Sequence, residues 1–197
     1  MNMRKLKLLL MTMLCLVFAT TVAFAAKSDG IKLEPPQTDV LSMHGVITEI
    51  SPDRDMITIT DKNNANQSVA LIVKWNTKVL NGANGNKYDI DKLKVGDELT
   101  AYYSPMMTRS LPPQSVAYAI VVGDGQHDGI YTKVAQVEQT ENGTRILNSN
   151  NDMLVTIPDS VNADAKNLKP GQKVLVWYDF VALSLPGQAT ATKAVIL

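Results

Sequence analysis

The feature that most constrains this chain is an internal duplication. Residues 93–103 read LKVGDELTAYY, and residues 168–178 read LKPGQKVLVWY, 75 positions later. SLPPQ at 110–114 returns as SLPGQ at 184–188, 74 positions later. Two matches in one order with a nearly constant offset mean that one structural plan is used twice. The units that follow are 43–122 and 130–197, joined by the glycine-rich linker 123–129.

Each unit is written in short alternating runs. In the first, Val46–Ile50, Met56–Thr60, Val69–Val73, Leu99–Tyr103 and Val116–Val122 are β-branched or aromatic and bounded by turn residues. In the second, Lys133–Val137, Arg145–Asn148, Met153–Ile157, Val174–Tyr178 and Thr190–Ile196 repeat the plan. One helical turn falls between strands three and four of each unit, at Asp89–Leu93 and Ala163–Leu168. Asp89 caps the first turn, and Gly96 and Gly171 supply positive φ just after. The expected fold class is therefore mainly β, two tandem five-stranded OB-like barrels, each with a short helical turn between strands three and four. The alternative is a pair of β-sandwich halves sharing one core. In the pairs Tyr102-Tyr103 and Trp177-Tyr178, one ring must face inward and the other outward. Trp75 is expected in a core.

The N-terminus carries an export signal. Arg4, Lys5 and Lys7 precede an apolar stretch from Leu8 to Val22, and Ala23-Phe24-Ala25 offers a cleavage site. Residues 1–25 are read as a signal peptide and 26–42, with Pro35-Pro36, as an extended arm. Without 1–25, 16 basic residues face 19 acidic ones, a charge of −3, and the lone cysteine is gone. A mildly acidic chain lacks the concentrated positive charge that phosphate backbones require, so no nucleic-acid partner is expected. Nor is a membrane span expected in the mature chain. The destination is the periplasm, the cell surface or the medium.

Gly45-Val46-Ile47-Thr48-Glu49-Ile50, then Leu93-Lys94-Val95-Gly96-Asp97-Glu98-Leu99 and a closing apolar strand, resemble exported bacterial OB-like domains of uncharacterised function. The resemblance extends over both units. It implies an envelope or secreted location and no assigned catalysis.

The best candidate contact is the loop 104–115, longer than an ordinary hairpin connection. It carries Met106, Met107, Arg109 and Gln114, with Tyr103 just before it. Thioethers adapt their shape to a partner, and Arg and Gln supply hydrogen bonds. The Ser-Leu-Pro-x-Gln core occurs in both units and reads as structural, leaving Met106–Arg109 as the variable, contacting part. A second reading gathers His44, Met106 and Met107 as copper ligands, since thioether and imidazole suit that metal. The linker faintly imitates a calcium loop, but Ala135 stands where the bidentate glutamate belongs. There is no Gly-x-Ser-x-Gly elbow, no phosphate-cradling glycine loop and no cysteine nucleophile. The sequence thus points to a non-enzymatic exported module without a cofactor, binding an envelope protein, peptide or glycan. Copper binding and a structural spacer are the alternatives.

Overall fold

Alternating apolar residues set the first repeat. It comprises β1 (Leu41–Ile50), β2 (Met56–Asp61), β3 (Ser68–Ile72), β4 (Lys78–Asn81), β5 (Glu98–Tyr103) and β6 (Gln114–Val122). This is a computed structural model, and it describes residues 39–123 and 129–197. The expected signal peptide at 1–25, most of the expected arm and linker residues 124–128 lie outside the described residues.

The sheet order is β3-β2-β1-β5-β6-β4. An additional parallel pairing of β3 with β6 closes β1, β2, β3, β6 and β5 into a barrel of OB-like order. Closure removes the free edges that a flat sheet would leave. β1 makes this possible by serving two partners, pairing β5 through Leu41–Val46 and β2 through Gly45–Ile50. At the overlap stands Gly45, where a Cβ would lie 2.4 Å from the Thr60 carbonyl oxygen. Only glycine lets the two backbones approach so closely. Ile47, Ile57, Ile59, Leu71, Leu99 and Ile120 fill the interior. Leu93, placed by the 3₁₀ turn Ile90–Lys92, joins them. The Asp89 side chain caps that turn by accepting the Asp91 N–H. Arg54, at φ 55°, fastens its far end by donating to the carbonyls of Ile90 and Leu93 at 2.9 and 3.1 Å.

The second repeat comprises β7 (Ile130–Thr140), β8 (Gly143–Asn148), β9 (Met153–Ile157), β10 (Lys173–Trp177), β11 (Val181–Ala182), β12 (Gly187–Thr190) and β13 (Lys193–Ile196). It is a curled sheet in the order β11-β12-β9-β8-β7-β10-β13. Its closing strand is broken where β6 is continuous. β12 runs parallel to β9 and β13 antiparallel to β10. Between them the Ala191 N–H donates to Thr156 and the Thr192 N–H to Trp177, so the chain passes from one neighbour to the other. The 3₁₀ turn Ala163–Asn167, capped by Asn162, matches the turn in the first repeat. Gly96 and Gly171 both take positive φ, 94° and 90°.

The described residues form one compact unit. Its two cores are joined by a third apolar cluster, built from Leu80, Tyr102, Val121, Tyr131, Leu175 and Trp177. The rings of Tyr102 and Tyr131 stack at 6.0 Å, and those of Tyr118 and Tyr131 at 5.8 Å. The Tyr102 hydroxyl donates to the Gly129 carbonyl. At Gly129 a Cβ would meet the Trp177 ring at 2.7 Å.

Three expectations need correction. The arm ends earlier than 42, because Leu41 already pairs with Tyr103. β4 and β11 were not legible as strands. The alternation expected of Tyr102-Tyr103 holds, with Tyr103 facing the barrel and Tyr102 facing outward, but the other repeat covers Tyr102 and leaves both rings buried. Trp75 is not in a core; it is 96% exposed.

Candidate functional site

The loop between β5 and β6 holds its form through its own hydroxyl groups. The Ser115 hydroxyl donates to the Ser104 carbonyl at 2.7 Å, and the Met106 N–H donates to the Ser104 hydroxyl at 3.1 Å. The Gln114 N–H donates to the Thr108 hydroxyl at 2.9 Å, and the Thr108 N–H returns a bond to the Gln114 carbonyl at 3.0 Å. The Ser110 hydroxyl donates to the Pro112 carbonyl at 2.8 Å. These bonds pin the main chain and leave the apolar side chains outside. Met106 is 83% exposed, Met107 45% and Leu111 97%.

The second repeat builds the same core. The Ser184 hydroxyl donates to the Pro186 carbonyl at 2.6 Å, as Ser110 does to Pro112. The peptide bonds preceding Pro112 and Pro186 are both cis. Leu185, the counterpart of Leu111, is fully exposed, and Phe180 and Leu183 are exposed beside it. The Ser-Leu-Pro-x-Gln motif is thus structural in its serine and proline, while its leucine packs against no core.

The other expected site residues are scattered. Arg109 is exposed and enters no ion pair among the described residues. Gln114 is half-buried at the start of β6, opposite Ala70. Tyr103 is only 4% exposed, so it offers no surface to a ligand. Burial, and then the charge of Asp61, push its hydroxyl pKa up.

His44 lies in the middle of β1, opposite Thr100. The loop leaves the barrel at Tyr103, three positions along β5, or roughly 10 Å at strand spacing. Both ring nitrogens of His44 already have partners, Thr100 at 3.0 Å and Glu98 at 2.7 Å. The geometry therefore does not gather His44 with Met106 and Met107. Glu98 also accepts from Lys62 at 2.5 Å, and the bonds from Lys62 and His44 hold its carboxyl below the ordinary value. Among the described residues, no group of three or more His, Cys, Asp and Glu side chains is placed to hold a metal.

Sequence reasoning missed one surface. Trp75 stands on the turn Lys74–Thr77, closed by the Thr77 N–H donating to the Lys74 carbonyl at 2.9 Å. The Thr77 hydroxyl accepts the Lys74 N–H and donates to the Ala117 carbonyl on β6 at 2.8 Å. The indole projects beside a hollow of about 450 Å³ lined by Val73, Tyr88 and Ile90. The available signal was Trp75 sitting inside a short polar turn rather than in an alternating run.

Comparison with known proteins gives one family match, on the second repeat. Residues 130–197 match the family described as "Protein of unknown function (DUF3221)". A "Protease inhibitor" from Brevibacillus choshinensis is 44% identical over 59 residues. That stretch is 30% of this chain and only 18% of the inhibitor's length. Among solved structures, a Cu(II)-bound CusF variant from Escherichia coli is similar at 19% identity and a TM-score of 0.32, over 45% of this chain and 96% of CusF. The single-stranded DNA binding protein of Thermus aquaticus is similar at 13% identity and a TM-score of 0.28, over 81% of this chain and 93% of that one. Among the described residues, no helix is long and apolar enough to cross a membrane.

Proposed function

We propose that this is an exported, non-enzymatic binding module that grips a protein partner through the 104–115 loop and its counterpart at 179–187. The observation that carries this reading is the repeated exposed leucine. Leu111 and Leu185 occupy the same place in two loops that share a hydroxyl-to-carbonyl bond, and neither is covered. An apolar side chain held in water by a pinned main chain loses little further entropy when a partner covers it. Met106, Met107, Phe180 and Leu183 widen each apolar surface, and thioethers adjust to the shape they meet. Arg109 supplies a polar rim.

The relative named as a protease inhibitor makes a secreted peptidase the first class of partner to assay, although it shares only a short stretch with this chain. The direct test places a photo-reactive residue at position 107, 111 or 185 of the full chain in its own envelope. A control carries the residue at Asn64, in the β2–β3 turn. A discrete protein adduct from the loop positions and none from the control is the expected result. No adduct, or the same adducts from the control, overturns the reading.

A further inference from the structure

Three hollows on the surface run into one another and carry lysine after lysine. The first holds Lys87, Lys74 and Trp75. The second shares Lys74 with it and adds Lys78, Tyr118 and Lys173. The third shares Tyr118 and Lys173 with the second and ends at Lys133, Ser149 and Asn150. Their volumes are about 450, 440 and 300 Å³. The track thus passes from the first repeat across the junction to the second.

Its lysines outnumber its acids. None of these five lysines is in an ion pair among the described residues; the pairs present use Arg54, Lys62, Arg145 and His44. Among the described residues, Asp39 and Asp89 are the only aspartates lining the three hollows, and no glutamate does. Lys133 and Lys173 stand directly opposite each other on β7 and β10, an arrangement in which like charges repel. A chain whose formal charge is zero therefore concentrates positive potential along one line.

The track also has one free aromatic face. The Tyr131 ring is buried, the Tyr88 ring is half-buried against the barrel core, and the Tyr118 ring is covered by the Lys173 ammonium at 4.5 Å. Trp75 remains open, on a turn fastened to β6. A flat apolar ring rimmed by cations fits a sugar ring that presents C–H groups on one face and carries a carboxylate. We propose that the track binds an acidic polysaccharide. Trp75 stacks on one sugar, and Lys74, Lys78, Lys173 and Lys133 pair with the carboxylates that follow. A single-stranded nucleic acid would call for successive free rings to stack successive bases, and the track offers one.

The test titrates the full protein with polygalacturonate oligomers at low salt and reads tryptophan emission and binding heat. Trp177, the second of the two tryptophans, is buried at the junction, so a change in emission reports Trp75. Saturable binding that weakens with salt is expected, with none to neutral dextran. Trp75→Ala should abolish the emission change and weaken binding about tenfold. Lys133→Glu with Lys173→Glu should weaken it by at least about tenfold, and Lys133→Gln with Lys173→Gln serves if the first pair fails to fold. Absence of saturable binding, or binding indifferent to either lysine pair, overturns the proposal. Tighter binding to a single-stranded oligonucleotide than to polygalacturonate overturns it too.

Discussion

At the scale of single residues, Glu98 is the chain's clearest titrating contact. Its carboxylate accepts from Lys62 and His44 across the β1–β5 face of the barrel. The native fold thereby depresses its pKa, first through the Lys62 bond and then through that of His44. A carboxyl depressed on folding contributes stability in full above its unfolded value and loses it as pH falls through the native one. Glu98→Gln should therefore flatten the acid limb of stability against pH, measured as urea midpoints, and lower stability near neutrality. Residue-level chemistry was legible in part. The Asp89 cap and the positive-φ pair Gly96 and Gly171 follow from sequence, because each depends on neighbours a few positions away. The bonds from His44 to Glu98 and Thr100 do not, because strand register alone brings together residues more than 50 positions apart. Trp75 was misplaced for a related reason. Its size argues for burial, while the turn that exposes it is fixed by a hydroxyl bond to β6.

At the scale of elements, alternation revealed every barrel strand because each buries one face. It missed β4, whose four residues split their apolar pair between two clusters, Val79 in the barrel and Leu80 between the repeats. Within the β7–β10 pair, the Lys133–Lys173 juxtaposition is a local cost. Lys133→Glu replaces repulsion with a cross-strand ion pair and should raise stability by about 0.2–1 kcal/mol, read from chemical denaturation. The same change should weaken binding of the acidic polymer. A purely structural role for Lys133 would not couple a gain in stability to a loss of binding. The loops behave differently from the strands. Their serine and proline were readable as structure from the repeat, but the exposure of Leu111 and Leu185 was not, since leucine in a repeated motif ordinarily reads as core.

At the scale of the whole molecule, the junction decides how the chain unfolds. Leu80, Tyr102, Tyr131, Leu175 and Trp177 bury one another between the repeats, so a single calorimetric transition is expected. Tyr102→Ala removes a buried ring and its bond to Gly129 and should cost about 3–5 kcal/mol. Its thermogram should broaden or split as the repeats melt separately. The sequence exposed the duplication but not this junction, because an outward-facing ring looks the same whether water or another repeat covers it. Tyr102 and Trp177 are equivalent positions of the two repeats, 75 apart, and both lie in the junction. The rest of the junction is not reciprocal: Leu175 answers to Thr100 in the first repeat, and Leu80 comes from β4, which has no counterpart in the second. Parted from the first repeat, the second would present Tyr131, Leu175 and Trp177 together as one apolar face. A lone 130–197 segment should accordingly pair with itself in sedimentation experiments, and Trp177→Ser should abolish that pairing.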